Sequence, residues 1–288
     1  MKSNIYNQVT DALIKQLESG IIPWQKPWTH GTFMGCVSHS NGRPYSLLNQ
    51  MLLDGRAGEW LTYNQVQAEG GRIKKGEKAS MVVFWSFIDK IETNEETGEQ
   101  KVVGKYPILK GYNVWHIDQT EGITAKYNNK PVEYAHTPIE RAEEVITTYV
   151  TREALKLEIT ESDRACYSPV FDRVRVPQMQ QFEIQEEYYS TLFHELTHST
   201  GHPKRLNREG VANIHFFGDE LYSKEELVAE MGSAFMMQSL GIECAKAFRN
   251  SAAYIQGWLR ALKNDKKLIV TAAAKAEAAV EYLLNGTK

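Results

Sequence analysis

The sequence predicts an α+β fold in two parts: an N-terminal α+β domain built on an antiparallel sheet, then a mostly helical C-terminal domain. Three observations carry this. The runs MVVFWSFI (81–88) and VVGKYPILKGYNVWHI (102–117) are β-branched and aromatic, as strands are, and a polar stretch, IETNEETGEQ, separates them in the manner of a hairpin. Helical apolar spacing dominates after residue 138. Between these regions lies a turn-rich segment with Pro131 and Pro138. The expected boundaries are therefore a first domain at 1–120, a linker at 121–137 and a second domain at 138–288.

In chain order, residues 3–19 read as an amphipathic helix, with Ile5, Val9, Leu13 and Leu17 on one face and Gly20 as its stop. IIPWQKPW is irregular. Short helices are expected at 47–53 and 60–69, the latter with Thr62 as N-cap and Gly70-Gly71 as its end. The two strands follow. In the second domain a helix runs from Pro138 to Lys156, with proline in its first turn. YSPVFDRVRVP (167–177) reads as one alternating strand, with Val170, Asp172 and Val174 on one side and Phe171, Arg173 and Arg175 on the other. Helices are expected at about 184–200, 223–240, 247–263 and 267–285. There is no internal repeat.

The net charge of −3 conceals a mild asymmetry. Residues 1–130 balance at +2 and residues 131–288 at −5, which places any polyanion-binding surface in the first half. The three cysteines, Cys36, Cys166 and Cys244, are distant from one another and form no CxxC pair, which argues against a disulfide framework or a cysteine zinc knuckle. The N-terminus lacks an apolar core of signal-peptide type, and the longest strongly apolar run, Met81 to Ile88, is far shorter than the ~20 residues that span a bilayer. The expected location is the cytoplasm, with no membrane partner.

The strongest chemical signal is His194-Glu195-Leu196-Thr197-His198. Histidines four apart on a helix project from one face, and zinc needs such convergence, with Zn–N bonds of about 2.0–2.1 Å. Glu195, slightly round the helix, is the candidate catalytic base for a water whose pKa the ion lowers. The plainer alternative is a helix with two surface histidines, but the uncharged flanks TLF and ST favour a buried site. A hydrolytic site needs a third ligand, and KEELVAEMGSAF at 224–235 offers acids at 225, 226 and 230. Glu226 is the expected ligand and Glu230 the acceptor orienting a ligand histidine, with the reverse assignment open. His202, bracketed by Gly201 and Pro203, and the more remote His215 are weaker alternatives. Tyr222 is a candidate oxyanion donor. The strand at 168–176 is a candidate edge along which a substrate backbone could lie.

The first half carries no acid pair, triad or phosphate loop. It interleaves bases and rings: Trp24, Trp28, Arg43, Tyr45, Arg72, Lys74, Lys75, Lys78, Phe84 and Trp85. Cations that track phosphates and rings that stack on bases are what single-stranded nucleic acid binding uses. On composition alone the plainer reading, tryptophans in a small core and lysines on a solvated turn, weighs slightly more.

With these residues in view, nearly the whole chain resembles the ArdC-type antirestriction proteins of plasmids and other mobile elements. In the first half the resemblance rests on IPWQKPW (22–28), NGRPYSLLN (41–49), WLTYNQVQAEGGRIKKGEKAS (60–80) and GYNVWHIDQTEGI (111–123). In the second it rests on YSPVFDRVRVP, YYSTLFHELTHSTGHPKRLNR (188–208) and YSKEELVAEMGSAFM (222–236). Ser199 departs from the bulkier residue expected after the second histidine. The resemblance implies a single-stranded-DNA-binding first half, a zincin-like metallopeptidase second half with one zinc ion per chain or another divalent metal in its place, an unidentified protein substrate, and a role in protecting incoming DNA. The alternative is a non-proteolytic DNA-binding antirestriction factor whose metal site is structural.

Overall fold

A computed structural model of the chain describes residues 4–19, 22–24, 35–53, 56–93, 100–127, 138–162, 164–182, 184–212, 220–242 and 251–286. Helix α1 (Ile5–Glu18) opens at Asn4, whose side chain accepts from the Tyr6 N–H, and buries Val9, Leu13, Ile14 and Leu17. Strand β1 (Cys36–Ser38), helix α2 (Leu47–Leu52), strand β2 (Gly58–Thr62) and helix α3 (Tyr63–Ala68) follow. Thr62 does cap α3, in a reciprocal capping box with Gln65. The helix starts later than its sequence suggests, however, because residues 58–62 form a strand between two others. Trp60 pairs with His116, and Glu59, Trp60 and Leu61 are all buried.

Strands β3 (Arg72–Ile73), β4 (Ser80–Thr93), β5 (Gln100–His116) and β6 (Thr120–Glu121) complete the first half. The main sheet has the order β1-β2-β5-β4. It is antiparallel except at β1, which runs parallel to β2. Residues 126 and 127, in the stretch read as linker, are held to this half: Glu59 accepts from the backbone N–H groups of Lys126 at 3.2 Å and Tyr127 at 2.6 Å.

The second half comprises α4 (Pro138–Glu153), β7 (Lys156–Thr160), β8 (Cys166–Ser168), β9 (Arg173–Pro177), α5 (Gln185–Thr200), α6 (Glu209–Ala212), α7 (Glu220–Ser239), α8 (Ser251–Asn264) and α9 (Leu268–Asn285). Two expectations are corrected here. Helix α4 stops at Glu153, Ala154 takes a left-handed φ of 49°, and Lys156 opens a strand instead. The single strand expected at 167–177 is a hairpin: residues 169–172 turn, with Asp172 at φ 43°, so Val170 and Phe171 stand at its tip, 67% and 69% exposed. The turn is fixed through Asp172, whose carboxylate accepts from the Tyr167 hydroxyl and pairs with the buried guanidinium of Arg205. In the resulting sheet, β7-β9-β8, β9 is central, so the candidate substrate edge at 168–176 is not an edge over Arg173–Arg175.

One apolar core runs through both halves. Val9, Leu13, Leu17, Trp24 and Met51 join the same buried cluster as Leu262, Leu268, Ile269 and Ala272. Trp24 lies edge-on to Trp258 with ring centroids 5.1 Å apart, and its carbonyl accepts from the Gln238 amide at 2.9 Å. A smaller cluster of Cys36, Tyr45, Leu53, Trp60, Val82 and Val114 fills the far side of the main sheet. No helix among the described residues is long and apolar enough to cross a membrane.

Candidate metal centre

Helix α5 brings the two histidines to one face because they are separated by one turn. Their Nε2 atoms lie 3.1 Å apart. Helix α7 crosses beside α5, and Gly232 permits the approach: a Cβ there would fall 2.5 Å from Cγ2 of Thr197. The closeness delivers Glu226, whose carboxylate oxygens are 3.5 Å from Nε2 of His194 and 3.3 Å from Nε2 of His198. Among the described residues, His194, His198 and Glu226 form the one group of at least three potential ligands arranged to hold a metal ion, with ligand atoms all within 4.8 Å of one another.

The donor set fits a divalent cation. Two nitrogens bound at about 2.0–2.1 Å around a tetrahedral ion would lie roughly 3.3 Å apart, close to the separation seen. The opposite ring nitrogens face acceptors: Nδ1 of His198 is 3.4 Å from Glu225 and Nδ1 of His194 is 3.8 Å from Glu230. With the Nδ1–H groups facing these acids, loss of the Nε2 protons would turn both Nε2 lone pairs toward one spot, where a divalent cation could take their place. Electrostatics agree. Burial opposes a positive charge on His198, but Glu225 and Glu226 outweigh it and push its pKa up to about 10. Burial likewise opposes the charge of Glu226, yet the two imidazoles hold its pKa below the usual carboxylate range. Burial raises that of Glu230. Glu195 is buried on the same helix.

The pairing of Glu225 with His198, and Arg208 behind it, were not legible in the sequence, which offers Glu225 only as one of three acids. Glu225 is buried, and Arg208, also buried, grips it from Nε at 3.1 Å and Nη2 at 2.6 Å while donating to Thr200 Oγ1 and the Thr197 carbonyl. The loop after α5 thus fixes the acid that orients His198. The EE pair hinted at this, but nothing in GHPKRLNR marks Arg208. Glu225→Gln is expected to weaken metal binding by about 10- to 100-fold, as competition titration with a chromophoric chelator would show, and also to lower the melting temperature of the metal-free protein, because it leaves the buried Arg208 charge without its partner. His202 lies beyond the end of α5, where its Nδ1 accepts from the Lys204 N–H, and is not in the ligand group. His215 and the side chain of Tyr222 lie outside the described residues.

The candidate DNA-contacting residues divide. Trp24 is corrected: with no exposed surface it fills the core and cannot stack on a base. Trp28 lies outside the described residues. Arg43, Lys75 and Lys78 are exposed, Arg72 pairs with Glu121, and Lys74 donates to the Asp118 carbonyl at 2.7 Å. Trp85 is 43% exposed, with its ring near Tyr6 of α1. Tyr45 is buried but lines a surface cavity.

The helix pair with its convergent histidines and glutamate is the core of a zincin-like fold, and the zincin-like metallopeptidase family matches residues 141–275. The N-terminal domain of anti-restriction factor ArdC matches residues 3–115. The chain belongs to the ArdC family of antirestriction proteins. It superposes on the metal-free crystal structure of antirestriction ArdC from plasmid R388 with a TM-score of 0.74, at 36% identity, over 98% of this chain and 97% of that one. The Mn(II)-bound structure of the same protein gives a TM-score of 0.76 at 33% identity, over 98% of each chain. A DNA primase TraC of Escherichia coli is 33% identical over 99% of this chain, which spans only 27% of the primase. An uncharacterized protein, y4eC, of Sinorhizobium fredii is 30% identical over 98% of this chain and 92% of its own length.

Proposed function

We propose that this protein binds single-stranded DNA entering a cell with a mobile element and acts there as a zinc-dependent peptidase that protects the DNA from restriction. The convergence of His194, His198 and Glu226, with Glu195 next to His194 on the same helix, supports this most directly. The family membership and the plasmid source of the R388 relative support the setting. The reading places the protein in the cytoplasm and makes a protein near the DNA its substrate.

His194, His198 and Glu226 would hold the zinc ion, which when bound supplies Lewis acidity toward a water and a carbonyl oxygen. Glu195 accepts the proton of the attacking water and passes it to the leaving amine. Glu225, itself held by Arg208, keeps His198 in the tautomer that turns Nε2 toward the ion. The apolar shell of Phe193 and Leu196 around α5 excludes bulk water behind the site.

Glu195→Ala is the direct test. It should leave zinc content unchanged and lower cleavage of an unfolded protein substrate by at least about 100-fold in the presence of single-stranded DNA. Transfer of unmodified plasmid DNA into a restricting host should lose its protection with the same variant. Full protection by Glu195→Ala would reduce the metal site to a structural role.

A further inference from the structure

The face of the main sheet opposite α1 carries a cavity of about 460 Å³, within the size range of small-ligand sites. Its walls combine Tyr45, Phe84 and Tyr112 with a polar rim that includes Ser38, Asn41 and Arg43. Strand register assembles the aromatic part. Tyr112 stands opposite Val82, and Phe84, two residues along β4, stands opposite Lys110, so these four side chains share one face. The Phe84 ring lies 6.0 Å from that of Tyr45 and 5.8 Å from that of Tyr112. Phe84 and Tyr112 nevertheless remain 46% and 45% exposed. Rings so exposed on a pocket wall retain free π-faces.

The rim is rich in donors. Asn41 spends its side-chain oxygen on the Arg43 backbone N–H at 3.0 Å, and Gln65 spends its own on the Thr62 N–H at 2.7 Å, leaving each amide nitrogen without a partner among the described residues. Burial pushes the Tyr45 pKa up to about 12, so its phenol stays protonated. The Arg43 guanidinium makes no ion pair among the described residues, and Lys110 is exposed beside Phe84. Flat apolar walls, uncommitted donors and two cations suit a group that is aromatic, bears acceptors on its edge and is attached to an anion.

We infer that this cavity receives a single unstacked base of the DNA strand, with the base against Phe84 and Tyr112 and its flanking phosphate near Arg43. The inference rests on the proposed single-stranded-DNA binding and assigns it a place. Trp85, the adjacent residue on β4, points to the other face and takes no part, since successive strand residues alternate sides.

The test uses the full chain and a fluorescein-labelled 15-mer of thymidylate, read by anisotropy across a salt series. Phe84→Ala should weaken binding by about 5- to 150-fold, the range for losing one base–aromatic stack, with an unchanged salt slope. Phe84→Trp should restore affinity, which a merely structural role for this ring would not allow. Arg43→Ala should instead flatten the salt slope by about one phosphate contact. Tyr112→Ala gives a second reading should Phe84→Ala fold poorly. Wild-type affinity in both Phe84→Ala and Tyr112→Ala would overturn the pocket while leaving DNA binding intact. Failure of the wild-type protein to bind the oligonucleotide would overturn the DNA-binding reading and this inference with it.

Discussion

His194→Ala or His198→Ala is expected to remove the thermal stabilisation that added zinc or manganese should confer on the wild-type protein. A ligand that binds only the folded state stabilises it by about 2.7 kcal/mol at a concentration 100 times its Kd and about 4.1 kcal/mol at 1,000 times. Each histidine supplies one of three protein donors that lie within 4.8 Å of one another. Losing one should therefore cost more than the about 10- to 100-fold set by the loss of an outer partner such as Glu225. Melting curves with and without added metal, and after chelation, provide the measurement. The metal-free melting temperature should fall for His198→Ala, because in that state the imidazolium is the partner of Glu225 and Glu226, so the readout is the metal-induced shift rather than the melting temperature itself. A variant that still shifts with metal as the wild type does would remove these residues from the ligand set.

The second large effect is expected at Trp24→Ala, on stability rather than on DNA affinity. Truncating a fully buried aromatic costs about 3–5 kcal/mol, a large share of the stability of an ordinary domain. Trp24 packs against Trp258, and the cluster they share draws on α1, α2, α8 and α9. The loss should thus lower the melting of both halves together in one transition. Trp24→Phe should cost much less, because the indole N–H has no hydrogen-bond partner among the described residues and its removal strands no acceptor. Chemical denaturation followed by both tryptophan fluorescence and circular dichroism would check this. Unchanged stability with weakened DNA binding would place Trp24 on the surface instead.

The elements that were legible in the sequence are those whose information is local. Periodicity marks α1 because an amphipathic helix repeats its apolar residues every turn, and Thr62 marks the start of α3 because its side chain accepts from the Gln65 N–H. The hairpin of β4 and β5 was legible from its aromatic and β-branched runs. The turn at 169–172 was not. Its cause is Arg205, a residue thirty-three positions away that fixes Asp172, while the local sequence alternates as a straight strand would. Strand β2 reads locally as part of a helix for a similar reason: what makes Trp60 a strand residue is its partner His116 on β5.

The sequence by itself determined the candidate metal-binding helix: residue spacing alone puts His194 and His198 on one face with Glu195 beside them, whatever the rest of the chain does. Only the tertiary structure decided which acid meets them, which acid orients them, and which rings of the first half are exposed. Those outcomes depend on how closely α7 approaches α5 at Gly232, on where the Arg208 loop closes, and on which face of a strand is covered by a distant helix. They are properties of packing between segments remote in sequence, and packing leaves no local periodic trace.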